Sequence, residues 1–208
     1  GDSLSDTGNI YYATGCHMGA PTCAAGAVDV APTQTYWNGR FQDGPAWNEA
    51  MASQLGIAAP TPSAIGGTNY AFGGARVTDT PYPNNPSTIP SVEAQVAGYL
   101  ASTGGVADPN AIYTVFGGGN DIKGVAAGDW GPVEVFTASM YVEPIVQSLI
   151  AAGAKSVLVA NVPNVGLAPI VTLGGSDPAQ ATGLTAGYNA TFAGLGALAE
   201  VALVDTFT

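Results

Sequence analysis

A serine lies in a short polar run at the start of this 208-residue sequence. Residues 1–9 read GDSLSDTGN, so Ser3 is surrounded by small and helix-capping residues. Such a run suits a sharp turn from a strand into a helix, which exposes a serine hydroxyl beside backbone N–H groups. The chemistry that this arrangement predicts is nucleophilic attack by Ser3 on a carbonyl carbon.

A serine nucleophile of this kind needs a base, normally a histidine. The sequence contains one histidine, His17, soon after the predicted turn. We interpret His17 as an exposed loop residue, with a role as the base as the alternative. Asp205, at the end of the last predicted strand, is interpreted as structural rather than as the partner of a base.

The overall charge of the chain excludes some classes of ligand. Four Lys and Arg residues stand against fifteen Asp and Glu residues, which gives a net charge of −11. This charge disfavours binding to nucleic acid but leaves neutral and zwitterionic substrates open. No apolar run in the sequence reaches the ~18 residues that a membrane span needs.

The two cysteines suggest export from the cell. Cys16 and Cys23 enclose a short loop, and a disulfide is the favoured interpretation, with two free thiols as the alternative. Zinc is disfavoured because no second Cys or His pair completes four ligands. We therefore predict a protein that is secreted, periplasmic or on the cell surface, with no cofactor and no metal.

Predicted strands alternate with predicted helices along the chain. This order predicts an α/β fold with three layers, α/β/α, around a mostly parallel sheet, whose ligands lie beyond the carboxyl ends of the strands. Pro144 predicts a kink or break in its helix, and residues 11–38 are predicted as a long loop. The predicted strands are 68–72, 111–116, 156–160 and 201–204, and the predicted helices are 45–55, 91–100, 133–152 and 184–200.

Two further clusters lie at the carboxyl ends of predicted strands. Residues 69–75 read NYAFGGA, and residues 117–121 read GGGND. With residues 1–9, in this order, they resemble the GDSL, or SGNH, family of serine hydrolases. The chain is most similar to the secreted bacterial esterase and phospholipase/haemolysin-type branch, and the resemblance covers nearly the whole sequence.

The resemblance implies a role for three residues. Ser3 is then the nucleophile, and the oxyanion hole combines the Ser3 N–H, the Gly74 N–H and the Asn120 side-chain amide, with Gly73 as the alternative to Gly74. The implied activity is that of a GDSL-type esterase or lipase acting through an acyl-enzyme on a small-molecule or lipid ester. Some members of this branch are autotransporter passengers, so a downstream barrel is a further expectation.

Charged residues close to these motifs are predicted to be structural. We expect Asp6 to cap a helix, Asp43 to cap the helix at 45–55, and Asp121 to hold the Asn120 loop. Arg40 and Arg76 are expected to form ion pairs within the fold, with binding of a phosphate or carboxylate as the alternative.

The sequence departs from the family in one respect. The family carries an Asp-x-x-His block near its carboxyl end, and no such block follows Asp205 here. We therefore expect residues 1–208 to be a single SGNH-hydrolase-like domain, truncated at both ends and incomplete at the carboxyl end. The histidine base is then expected beyond Thr208, and the 208 residues alone are expected to be inactive or weakly active. The alternatives are an inactive SGNH-fold binding module and a glycan O-deacetylase.

Overall fold

The computed structural model describes residues 1–14, 37–82 and 87–208. The chain divides into two compact units, residues 1–75 and residues 76–208. Cys16, His17 and Cys23 lie outside the described residues, so the disulfide and the role of His17 stay predictions. Within the described ranges, no helix is long and apolar enough to cross a membrane.

The second unit is built on a parallel sheet of three strands. Strands β1 (Ile112–Phe116), β2 (Ser156–Ala160) and β3 (Val201–Val204) lie in the order β1-β2-β3. Val159 of β2 pairs with a residue in both neighbours and is buried, as expected for a central strand. The predicted α/β class with a parallel sheet is confirmed, and so are three of the four predicted strands.

Helices and short 3₁₀ turns connect the strands of this unit. The helices are α3 (Val92–Ser102), α4 (Gly119–Ala127), α5 (Pro132–Ser139), α6 (Val142–Ala151), α7 (Pro169–Thr172) and α8 (Pro178–Ala190), and the 3₁₀ turns are Val165–Leu167 and Thr191–Ala197. The strands and helices α3, α4, α5, α6 and α8 form the apolar core of the unit, which includes the fully buried side chains of Ile122, Val146 and Tyr188.

Proline determines two of the helix boundaries in this unit. The predicted break near Pro144 is confirmed, since α5 ends at Ser139 and α6 begins at Val142. Pro144 then lies in the first turn of α6, where its missing N–H removes no helical hydrogen bond. The predicted bounds 184–200 were wrong, because Pro178 and the capping Asp177 start α8 earlier and the last turns are 3₁₀.

The first unit contains two helices and a 3₁₀ turn, namely α1 (Asn9–Thr14), α2 (Trp47–Leu55) and Ser63–Ile65. Helix α1 corrects the predicted loop over residues 11–14. Helix α2 confirms the predicted helix, but Asp43 is not its cap. The Ala46 N–H instead donates to the Glu49 carboxylate at 2.8 Å, because a glutamate at the third helical position reaches back to the cap.

The predicted strand 68–72 is wrong. This segment is extended only at an isolated bridge between Pro62 and Asn69. The carbonyl oxygens of Asn69 and Ala71 accept hydrogen bonds from the Asn9 side-chain amide at 2.7 and 2.8 Å. The Asn69 carbonyl also accepts the Ser63 N–H at 2.7 Å, whereas the Asn9 side chain takes the Ala71 carbonyl, and the pairing does not continue as a regular ladder.

Replacing Ser91 by alanine should lower the free energy of unfolding by about 1 kcal/mol. The Ser91 hydroxyl accepts the Ala94 N–H at 3.3 Å and caps α3, so its loss leaves a helix N–H without that partner. Urea denaturation measures the change. Ser102→Ala, at the other end of the same helix, is the matched control and should change the stability little, so an equal loss in both variants would contradict the capping role.

Candidate active site

The Ser3 turn is held by Asp2, the residue before it. The Asp2 carbonyl accepts the N–H groups of Ser5 and Asp6, both at 3.0 Å, and the Asp2 carboxylate accepts the Leu4 N–H at 3.0 Å. Ser3 itself is half-buried, and among the described residues neither its N–H nor its hydroxyl makes a hydrogen bond. The turn therefore leaves both groups of Ser3 available to a ligand.

Gly74 lies in a second turn of the same unit. The Ala75 N–H donates to the Phe72 carbonyl at 3.1 Å, and Gly74 has a φ of 82°. A positive φ at the third position is the pattern of a type II turn, which glycine adopts without strain. Gly74 is exposed, and its N–H donates no hydrogen bond to any part of the chain that the structure describes.

The structure distinguishes the two glycines that the sequence left open. The Gly73 N–H donates to the Asp6 carboxylate at 2.8 Å, so it is already engaged. The Gly74 N–H is the donor that remains. This difference favours Gly74 over Gly73 as the oxyanion donor.

Asp6 is the link between the two turns. One carboxylate oxygen accepts the N–H groups of Gly8 and Asn9 at 2.7 and 2.6 Å, and the other accepts those of Ile10 and Gly73. The residue is fully buried, and burial raises the pKa of Asp6, while the backbone donors act in the opposite direction. Asp6 therefore caps α1, as predicted, and also holds the Gly73 turn, which was not predicted.

Side-chain donors from two other segments hold the Ser5 peptide. The Ser5 carbonyl accepts the amides of Asn48 and Asn69 at 2.9 and 2.7 Å, and the Trp47 indole N–H lies 3.1 Å from the Ser5 hydroxyl. Asn48 and Asn69 are buried, and neither was given a role by the sequence. Asn69 stood within the NYAFGGA cluster, whereas no local signal marked Asn48.

Asn120 belongs to the second unit, in the first turn of α4 and just beyond the carboxyl end of β1. Gly118 precedes the helix with a φ of 116°, and a Cβ there would lie 2.5 Å from a ring atom of Tyr188. The Asn120 amide oxygen accepts the Lys123 ammonium at 3.3 Å. Since the oxygen faces a cation, the amide N–H₂ is directed away from Lys123.

Asp121 fixes the start of α4, as predicted. Its carboxylate accepts the Val77 N–H at 3.2 Å and the Tyr82 hydroxyl at 2.9 Å, and its carbonyl accepts the Trp130 indole N–H at 2.7 Å. Burial raises the pKa of Asp121 to about 7. The residue next to Asn120 is thus anchored on three sides within its unit.

The arginines form ion pairs within the fold, as predicted. Arg40 pairs with Glu49 at 2.5 Å, and Arg76 pairs with Asp79 at 2.7 Å and lies over the Tyr82 ring. Both cations are therefore engaged by protein groups.

Asp205 takes part in a local network at the end of β3. Its carboxylate accepts the Thr208 hydroxyl and the Asn161 amide at 2.6 and 2.8 Å, and these hydrogen bonds lower the pKa of Asp205 to about 2. This contact pattern agrees with the structural role predicted for Asp205. Across residues 1–14, 37–82 and 87–208, no three His, Cys, Asp or Glu side chains cluster as metal ligands do.

Comparison with known proteins identifies the family. The family described as GDSL-like lipase/acylhydrolase matches residues 1–201 of this chain. The chain belongs to that family. The resemblance found in the sequence motifs is thereby confirmed over nearly the whole chain.

The GDSL-like chain is also similar to a curated protein, Lipase 1 of Photorhabdus luminescens. The two are 39% identical over 125 residues, which make up 59% of this chain and 18% of the relative. The chain thus spans under a fifth of the length of the relative that it matches. Ser3 and Gly74 lie in the first unit of this family member, and Asn120 lies in the second.

Proposed function

We propose that this protein is a serine ester hydrolase of the carboxylesterase or lipase type, acting through an acyl-enzyme on Ser3. One observation carries the proposal. Two turns of the first unit are tied together by hydrogen bonds, and the Ser3 hydroxyl, the Ser3 N–H and the Gly74 N–H make no hydrogen bond among the described residues. A nucleophile with nearby backbone donors is what acyl transfer requires. Membership in a lipase/acylhydrolase family supports the same activity.

The proposed reaction has two stages. A base takes the Ser3 hydroxyl proton while Ser3 Oγ attacks the ester carbonyl carbon, and the carbonyl oxygen becomes an oxyanion. The Ser3 and Gly74 N–H groups stabilise that charge, and the family resemblance implies the Asn120 amide as a third donor. The carbon–oxygen bond to the alcohol then breaks, and the base returns its proton to the leaving alcohol. Water, activated by the same base, hydrolyses the acyl-enzyme and releases the acid.

The base in this proposal is a histidine beyond Thr208, as the family resemblance implies. His17 is the alternative and lies outside the described residues. Asp205 is engaged by Asn161 and Thr208, which supports a structural role rather than a place beside a base.

An exposed apolar segment of the second unit offers a surface that suits acyl lipids better than acetylated sugars. Leu167, Ile170 and Leu173 are 74, 57 and 85% exposed, and they follow the carboxyl end of β2. Residues 156–176 carry no Asp, Glu, Lys, Arg or His. An uncharged surface of this kind suits aliphatic chains, whereas sugars call for polar side chains.

Covalent labelling with a fluorophosphonate tests the proposal. In the full-length protein, mass spectrometry should locate the label on the peptide that contains Ser3, and heat-denatured protein should remain unlabelled. Hydrolysis of fatty acyl esters should exceed that of acetylated sugars. The inactive binding module predicts a folded protein that is never labelled, and the glycan deacetylase predicts the reverse substrate order.

A further inference from the structure

We propose that Asp6 is a positioning residue of the oxyanion hole, a role that rests on the proposed function. Its buried carboxylate sets the Gly74 N–H against the Ser3 turn by holding the neighbouring Gly73 N–H.

Hydrogen bonds on both sides of Ser3 in the sequence connect its turn to the Gly74 turn and set the spacing between them. On one side the Phe72 N–H donates to the Gly1 carbonyl at 3.1 Å, and on the other the Gly73 N–H donates to the Asp6 carboxylate at 2.8 Å. Because these contacts lie on both sides of Ser3 in the sequence, they restrict how the Ser3 turn and the Gly74 turn can shift relative to each other.

The Asp6 contact also decides which glycine N–H is left for a ligand. In a type II turn, consecutive N–H groups at the second and third positions point in different directions. Because Asp6 takes the Gly73 N–H, the Gly74 N–H is oriented elsewhere and is unpaired among the described residues. Asp6 thus determines which of two adjacent glycines presents a donor.

The Asp6 side chain is itself held in one position by its hydrogen bonds. Its other oxygen accepts the N–H groups of Gly8 and Asn9, which lie at the start of α1. With four backbone donors around a fully buried carboxylate, the side chain cannot rotate without leaving buried N–H groups unpaired. The carboxylate therefore holds the Gly73–Gly74 peptide in a fixed position relative to the start of α1.

The variant Asp6→Asn tests this role in the full-length protein. The asparagine oxygen can still accept the Gly8 and Asn9 N–H groups at the start of α1, while its N–H₂ replaces the acceptor that faces Gly73 and Ile10. We expect kcat to fall by about 10²-fold, as for other losses of alignment in an active site, with KM changed by less than about threefold. The affinity for an alkylboronic acid, which forms a negatively charged tetrahedral adduct with Ser3, should fall by a similar factor.

Asp177→Asn is the matched control. Asp177 caps α8 by accepting the Ala179 N–H at 2.9 Å, and it is an exposed residue of the second unit. The same change there should leave kcat and boronic acid affinity unaltered. A folded Asp6→Asn variant with wild-type kcat and boronic acid affinity would overturn the proposal.

Amide hydrogen exchange of the unaltered protein decides the matter even if Asp6→Asn fails to fold. The Gly73 N–H should exchange slowly without ligand, and the Gly74 N–H should become protected when the boronic acid binds. Equal exchange of the two amides, or no protection of Gly74, would contradict the role of Asp6. If Ser3→Ala retains activity or the boronic acid does not bind, the proposed function fails as well.

Discussion

Replacing Ser3 by alanine should abolish ester hydrolysis by the full-length protein, with kcat/KM falling at least about 10⁴-fold. In the proposed mechanism the variant loses the oxygen that forms the acyl-enzyme but keeps the backbone N–H groups of the turn. These groups still bind a developing oxyanion, so a small rate above that of water is expected to remain. Steady-state kinetics with a soluble short-chain ester measure the effect.

Ser5→Ala is the matched control, since it removes a second hydroxyl from the same turn. The Ser5 hydroxyl is engaged by the Trp47 indole, whereas the Ser3 hydroxyl makes no bond among the described residues. Loss of the Ser5 hydroxyl should lower the free energy of unfolding by about 1 kcal/mol and change kcat/KM by less than about tenfold. Retained hydrolysis in Ser3→Ala, or an equal loss in both variants, would remove Ser3 from its role as nucleophile.

The elements that the sequence predicted well are those with a strong local signal. Strands β1 and β2 are continuous apolar runs, and Pro144 interrupts a helical pattern in a way that few other residues do. The segment 68–72 has an equally strand-like composition, yet it is not a strand. The carbonyls of Asn69 and Ala71 accept hydrogen bonds from the side chain of Asn9, about 60 positions away, and no local sequence pattern predicts such a contact.

The same distinction applies to the candidate site. Ser3, Gly74 and Asn120 stand in recognisable motifs, so a resemblance could suggest them. The contact between Asp6 and Gly73 joins residues 67 positions apart and depends on how two turns are folded together. Capping was a sound prediction for Asp6, because a helix follows it, but only the three-dimensional arrangement reveals its second acceptor.

If Asn120 is the third oxyanion donor that the family resemblance implies, replacing it by alanine should lower kcat by about 10²–10³-fold. KM should change little, since the uncharged ester carbonyl gains less from the amide than the oxyanion does. The expected result is measured by steady-state kinetics in parallel with Ser3→Ala. The thermal unfolding temperature should stay near that of the wild type, because the contacts of the Asp121 carboxylate at the start of α4 are kept.

Asn120→Asp makes this test sharper. An aspartate keeps an oxygen that can face Lys123, as the Asn120 oxygen does, but it replaces the N–H₂ with a second acceptor. A negative charge beside the developing oxyanion should lower kcat at least as far as the alanine variant does. Lys123→Met is the matched control, since it removes the contact to the amide oxygen and keeps the amide, and it should cost less than about tenfold. If Asn120→Asp were as active as the wild type, Asn120 would not be a donor to the oxyanion, and its part in the proposed site would be lost.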